Sequence, residues 1–180
     1  MQFIHRMVGA LSKQTCTNII DFFETNIDLA KPGGYGPNEL QDLEIAYDIM
    51  VDKFNPNGFF LEDTLFKTID EYKEKFPLTE NLERWQLDYN CQLMKYEPNQ
   101  YYHYIHCEND GSNDRRVFAW MIYLNDIKEG GGTHFVHQNF TAEPISGDLY
   151  IWPAGWTHMH HGVNAPKENK YIITGWVNYI

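Results

Sequence analysis

From Glu83 onward the chain is a succession of short apolar and aromatic runs, each closed by turn-forming residues, and that spacing commits this part of the chain to antiparallel strands. Trp85, Leu87 and Tyr89 alternate with Gln86, Asp88 and Asn90, and Gln92-Leu93-Met94-Lys95-Tyr96 continues the pattern. Tyr101 to Glu108, Val117 to Leu124, Leu149 to Trp152 and Tyr171 to Tyr179 read as further strands. Between them, Asn109 to Asp114, Asn125 to Gly132, Ser146 to Asp148, Pro153 to Gly155 and Asn164 to Asn169 supply the Gly, Pro, Asn, Asp and Ser of turns.

The first part of the chain has a different period. After a short apolar opening at Phe3 and Ile4, Ser12 is placed to cap a helix whose apolar residues Cys16, Ile19, Ile20 and Phe23 recur at helical spacing. Lys31 to Asn38, with its Pro and Gly, reads as a loop that can serve as a lid. A second helix is expected from about Gly58 to Lys75, with Phe59, Leu65, Phe66, Ile69, Tyr72 and Phe76 on its apolar stripe and Pro77 as its stop. Helices first and strands after give an α+β class, mainly β, in which a sheet folds over into a sandwich or open barrel. At 180 residues the expected organisation is a single domain, 1–82 mostly helical support and 83–180 the β-core, with no internal repeat.

A net charge of −11 repels nucleic-acid backbones and anionic membranes, but not a cationic peptide. Cys16, Cys91 and Cys107 are too few and too irregularly spaced for a disulfide framework, which points to a reducing compartment. No run of eighteen apolar residues and no basic-then-apolar opening is present, so the expectation is a soluble cytoplasmic protein with no membrane segment.

The chemistry concentrates in two places. His106 and Glu108 stand two apart in an extended run, about 6.6 Å along the chain, so both side chains leave the same face and can converge on one ion. Later, Trp156-Thr157-His158-Met159-His160-His161-Gly162 carries three histidines, followed by the isolated Lys170. His158 and His160 are also two apart, a spacing that suits zinc as well, while His161 points the other way. His134 and His137, three apart, lie on opposite faces of any strand and read as surface residues or as supports behind the ligands. Two imidazoles and a carboxylate with open positions form the ligand set of a non-haem iron(II) site, and a buried lysine can anchor an anion beside it.

The order of motifs carries a family resemblance. Lys95-Tyr96-Glu97-Pro98, His106-x-Glu108, Tyr123-Leu124-Asn125-Asp126, Gly131-Gly132-Thr133-His134-Phe135, Pro144-x-x-Gly147-Asp148-Leu149, Thr157 to Gly162 and Lys170-Tyr171-x-x-x-Gly175-Trp176 follow one another as in the iron(II)- and 2-oxoglutarate-dependent dioxygenases. Among these the chain resembles the prolyl 4-hydroxylase group, particularly its small bacterial and phage-type members. The resemblance covers Tyr96 to Trp176 and implies a double-stranded β-helix core of the jelly-roll or cupin type with N-terminal flanking helices. It implies His106, Glu108 and His160 as Fe(II) ligands and Lys170 as the partner of the distal carboxylate of 2-oxoglutarate. Thr133 and Tyr96 become neighbours of that co-substrate, with Tyr101 and Tyr102 as alternative pocket tyrosines, and Trp176 becomes pocket wall. The chain departs from the group at Glu108, where most members have Asp.

The implied activity is hydroxylation of a peptide or protein substrate, foremost a proline in a proline-rich segment. Dioxygen is consumed, 2-oxoglutarate is decarboxylated to succinate, and ascorbate is a candidate reductant. The same chemistry on another side chain or a small molecule is the first alternative. A non-catalytic β-sandwich with a structural zinc is the second, and Lys170 with the Gly-Gly-Thr run counts against it because a closed zinc site needs no anion anchor.

Overall fold

A computed structural model describes residues 2–33, 43–46 and 61–180. Most of the expected lid, from residue 34 on, and the beginning of the expected second helix, including Phe59, lie outside the described residues.

The first helix, α1 (Lys13–Thr25), starts where the cap places it: the Ser12 side chain accepts a hydrogen bond from the Thr15 backbone N–H, and Cys16, Ile19 and Phe23 are buried. The second, α2 (Glu62–Lys75), buries Leu65, Thr68, Ile69 and Tyr72. Phe66, expected on that stripe, is instead 47 % exposed, because it lies next to Leu65 and is rotated off the face that Leu65, Ile69 and Tyr72 share. No described helix is long and apolar enough to cross a membrane.

Strands make up most of the rest. They are β1 (His5–Met7), β2 (Lys31–Pro32), β3 (Leu43–Ala46), β4 (Trp85–Leu87), β5 (Gln92–Tyr96), β6 (Arg116–Tyr123), β7 (Thr133–Phe135), β8 (Phe140–Ala142), β9 (Leu149–Pro153), β10 (His160–Gly162) and β11 (Lys170–Tyr179). The larger sheet runs β1-β9-β6-β11-β5-β3-β2, with β4 also paired to β11, and the smaller runs β10-β7-β8. All pairings are antiparallel, as the turn spacing requires. The long β11 holds the larger sheet together, with β6 along one edge and β5 then β4 along the other.

Two sequence expectations need correction here. The alternation Trp85, Leu87, Tyr89 stops at Leu87, because Asp88 folds into a turn in which its carboxylate accepts from the Asn90 N–H, and Tyr89 is left exposed with its hydroxyl donating to Glu62. The stretch Tyr101 to Glu108 is not a strand. It touches β10 at Tyr102, whose carbonyl accepts from the Gly162 N–H, and again at His106, which exchanges both backbone hydrogen bonds with His160. Four residues on one side span two on the other, so the intervening chain bulges out and leaves Tyr104 and Ile105 exposed.

The period of two on the central strands sorts the core into two layers. Phe118, Trp120 and Ile122 of β6, Leu149 and Ile151 of β9, and Ile173 and Val177 of β11 face the helices and pack with Cys16, Phe23, Leu65, Ile69 and Tyr72. Their neighbours Ala119, Met121, Tyr123, Tyr150, Trp152 and Ile172 face the smaller sheet and pack with Phe135 and Ala142. Burial on both faces explains why these strands read as continuous apolar runs. The inner layer opens into the site.

Candidate active site

A cavity of about 780 Å³ opens between the two sheets, and all seven residues singled out by sequence line it: Tyr96, His106, Glu108, Thr133, His160, Lys170 and Trp176. Each has a structural reason to be there. His160 begins β10 opposite Phe135 of β7. His106 is brought alongside by its bridge to His160. Lys170 opens β11 opposite Tyr96 of β5.

Backbone carbonyls orient both imidazoles. The Nδ1 atom of His106 lies 3.0 Å from the Tyr104 carbonyl and that of His160 lies 2.9 Å from the His158 carbonyl. A carbonyl only accepts, so each Nδ1 carries a proton and each Nε2 is left to face the centre, with a lone pair there whenever the ring is neutral. There the Nε2 atoms meet Oε1 of Glu108, 3.6 Å from His106 and 3.4 Å from His160. These separations exceed those of charge-assisted hydrogen bonds, and lone pairs facing a carboxylate repel unless a cation sits between them. One ligand atom from each of the three residues falls within 4.8 Å of the others, and among the described residues no other group of three histidines, cysteines or carboxylates does so. The donor set therefore fits a divalent ion, and its mixture of imidazole and carboxylate suits iron(II). Burial by itself pushes the Glu108 carboxyl up, but in the metal-free chain the hydrogen bonds and positive charge that His106 and His160 supply when their rings are protonated outweigh it and hold the group far below the usual carboxylate range.

Glu108 has further support. Trp176 Nε1 donates to Oε2 at 2.7 Å, and Arg116 Nη1 approaches the same oxygen at 3.3 Å. Deeper in the cavity, Lys170 is 5 % exposed and its Nζ lies 5.5 Å from the Tyr96 ring and 5.4 Å from the Tyr123 ring. Tyr123 donates its hydroxyl to Thr133 Oγ1 at 3.0 Å. Burial drives the Tyr123 phenol well above its ordinary value, so it remains a donor, and the Thr133 hydroxyl in turn donates to Met121 Sδ at 3.9 Å, a weak bond that a stronger acceptor in the cavity can replace. Of the alternative tyrosines, Tyr102 lines the cavity with its ring 4.5 Å from that of His106, whereas Tyr101 packs on His103.

The remaining histidines have other partners. His158 is buried, with Nδ1 beside the Thr157 hydroxyl at 3.0 Å and Nε2 on the Gln2 carbonyl at 2.9 Å, so neither nitrogen faces the centre. His161 and His134 face each other across β10 and β7 on the outer side of the smaller sheet.

Residues 91–178 match the family description "2OG-Fe(II) oxygenase superfamily". The β-core belongs to the 2OG-Fe(II) oxygenase superfamily. The protein is accordingly a 2-oxoglutarate-dependent dioxygenase, a family that takes Fe(II), 2-oxoglutarate and dioxygen. No curated protein matches in sequence. Among solved structures, the oxygenase resembles a viral collagen prolyl hydroxylase of Paramecium bursaria Chlorella virus-1, in complex with 2-oxoglutarate, at 19 % identity and a TM-score of 0.70 over 99 % of this chain and 97 % of that one. A Pseudomonas putida prolyl-4-hydroxylase matches at 17 % identity and a TM-score of 0.70 over 100 % of this chain and 94 % of that one. A Trichoplax adhaerens prolyl hydroxylase, in complex with a peptide fragment of a hypoxia-inducible factor, matches at 16 % identity and a TM-score of 0.74 over 99 % and 84 %. At these identities the likeness establishes a shared fold.

Sequence reading missed Arg116 and Tyr123 as contributors to the site of this oxygenase. Tyr123 stood in the motif Tyr123-Leu124-Asn125-Asp126 that carries the family resemblance, but no role in the site was assigned to it. Arg116 stood at the edge of a polar turn, and only its position just before an apolar run marked it out.

Proposed function

We propose that His106, Glu108 and His160 hold Fe(II) and that this oxygenase hydroxylates a peptidyl proline, with 2-oxoglutarate converted to succinate and carbon dioxide. The observation that carries the reading is that the triad and a buried lysine line one cavity. The two sheets are read as the facing sheets of a double-stranded β-helix, with the N-terminal helices as support within a single domain. The structural likeness to three prolyl hydroxylases supports both the fold and the class of substrate.

When bound, the iron and 2-oxoglutarate supply the oxidising power that inserts oxygen into a C–H bond. The chain's own residues bind and orient. Lys170 pairs as a point charge with the distal carboxylate of 2-oxoglutarate, and the Thr133 hydroxyl donates to the same group beside Tyr96. Met94, Met121, Trp152 and Ile172 form a largely apolar wall that keeps water from the reacting carbon. Tyr102 and Tyr104 line the cavity beside His106, and Tyr104 is 41 % exposed, so a peptide entering the cavity meets aromatic surface next to the triad.

Two measurements test this. Anaerobic addition of Fe(II) and 2-oxoglutarate together produces a charge-transfer absorption band that neither gives alone. Incubation with proline-containing peptides then gives a mass gain of one oxygen on proline. A band without any peptide product moves the substrate to another side chain or a small molecule, and the absence of a band refutes the metal and co-substrate assignment.

A further inference from the structure

We propose that Trp176 and Arg116 form a clamp that fixes which oxygen of Glu108 faces the imidazole pair, and that this clamp is what allows glutamate to serve as the carboxylate ligand; the inference rests on reading His106, Glu108 and His160 as a metal site. Glutamate has one more rotatable bond than aspartate and reaches further, so an untethered Glu108 can turn either oxygen, or both, towards a cation. A carboxylate that offers both oxygens occupies a position that an oxygenase site must leave open.

The structure divides the two oxygens. Oε1 faces both Nε2 atoms, at 3.6 and 3.4 Å. Oε2 is taken by the Trp176 indole N–H at 2.7 Å and by Arg116 Nη1 at 3.3 Å. The Arg116 guanidinium lies 3.6 Å above the Trp176 ring, so each member of the clamp locates the other.

Backbone features aim both groups. Trp176 lies on the same face of β11 as Ile172, towards the cavity. Strict alternation along β6 would send Arg116 to the helix side, with Phe118 and Trp120. Instead the register between β6 and β11 shifts between Val177 and Asn178: Val177 pairs with Phe118, Asn178 with Arg116, and Val117 is passed over. Val117 and Phe118 both pack in the helix-side core, and Arg116 emerges over Trp176. A bulge that re-aims one side chain beside a site is the structural device here.

Trp176 and Arg116 are thus positioning residues, and the test reads metal binding by the resting chain. Co(II) is titrated into the metal-free protein, followed by calorimetry and visible absorption, for the wild type, Trp176→Phe, Glu108→Asp and the double variant. Trp176→Phe keeps a ring under Arg116 and loses only the N–H, and its Co(II) affinity falls about 10–100-fold, with an altered visible band. Glu108→Asp, too short to meet both the clamp and the ion, weakens binding by a similar factor in the wild type but by much less in the Trp176→Phe background, because the clamp is already broken. Arg116→Lys, which keeps the charge but not the flat stack, lies between wild type and Trp176→Phe and serves if Trp176→Phe does not fold. Wild-type affinity in Trp176→Phe and Arg116→Lys, or simple additivity of the two losses, overturns the clamp while leaving the metal site standing. A wild-type chain that binds no Co(II) overturns the metal reading itself.

Discussion

Replacing Lys170 by methionine separates an anion anchor from a structural lysine. The ammonium sits at 5 % exposure at the head of β11, between the Tyr96 and Tyr123 rings, and lines the cavity that holds the triad. Methionine fills a similar shape and suits aromatic neighbours, so the perturbation is mainly the loss of charge. A pair of unit charges about 4 Å apart interacts by about 4 kcal/mol at an effective dielectric constant near 20, which sets the upper end of the effect. The co-substrate's cost of leaving water and its remaining contacts to Thr133 reduce that, and about 1.4 kcal/mol is a reasonable floor. The expected outcome is a 2-oxoglutarate half-saturation concentration raised by about 10–1000-fold, with Fe(II) affinity and the unfolding midpoint near those of the wild type. Lys170→Arg lies between, because the planar fork keeps the charge but not the reach. The assay is a 2-oxoglutarate titration of succinate formation with an independent calorimetric Fe(II) titration. A half-saturation concentration unchanged in Lys170→Met, with turnover intact, would show that the distal carboxylate is held elsewhere.

Other expectations follow from the same geometry. His106→Ala and His160→Ala each abolish 2-oxoglutarate turnover, whereas His161→Ala, on the outer face, retains most of it; His158→Ala retains the ligands but loses a buried link to Gln2, so it lowers the unfolding midpoint more than it lowers turnover. Lys95 provides the contrast to Lys170: its Nζ lies 2.9 Å from Glu24, and Lys95→Met costs about 1 kcal/mol of stability, seen as a lower midpoint in thermal unfolding, with no change in 2-oxoglutarate half-saturation. Burial alone would raise the Glu24 pKa, but the hydrogen bonds from Lys95 and Tyr171 outweigh it and lower the group. A carboxyl depressed on folding adds stability above its unfolded value and loses it as pH falls through the folded one, so the midpoint of the wild type drops more steeply on acidification below the ordinary glutamate range than that of Glu24→Gln. Gly175→Ala drives a methyl into the Trp120 ring on the adjacent strand and destabilises the sheet by about 1–3 kcal/mol, measurable by denaturant titration.

The strands that were legible in the sequence are those buried on both faces. Val117 to Leu124, Leu149 to Trp152 and Tyr171 to Tyr179 gave long apolar runs because helices cover one side and the smaller sheet the other. Three-residue strands such as β1, β7 and β8 are shorter than the window in which a period of two can be recognised, and their pairing comes from partners far along the chain. His5 to Met7, for example, is held to β9 partly by Arg6, whose Nη2 lies 2.6 Å from the buried carboxylate of Asp148. No local pattern announces an ion pair of that span.

The site divides along the same line, between what neighbouring residues impose and what distant ones permit. The two-residue spacing of His106 and Glu108 survives although the expected strand does not, because one bridge at His160 suffices to align both side chains. That His160, rather than His158, turns to the centre was implied by the family resemblance and not by local spacing, since His158 and His160 stand equally two apart. Its physical cause is the carbonyl of Gln2, which takes the His158 Nε2 and is contributed from the other end of the chain. Arg116 was hidden for a related reason: alternation along β6 assigns it to the helix side, and only the bulge at Val117 reverses that assignment. A periodic reading assumes an unbroken ladder. The ladder breaks beside Glu108, where an irregular backbone lets three side chains from separate segments meet on one carboxylate, and so the residues hardest to find by pattern are those that the chemistry of the site most depends on.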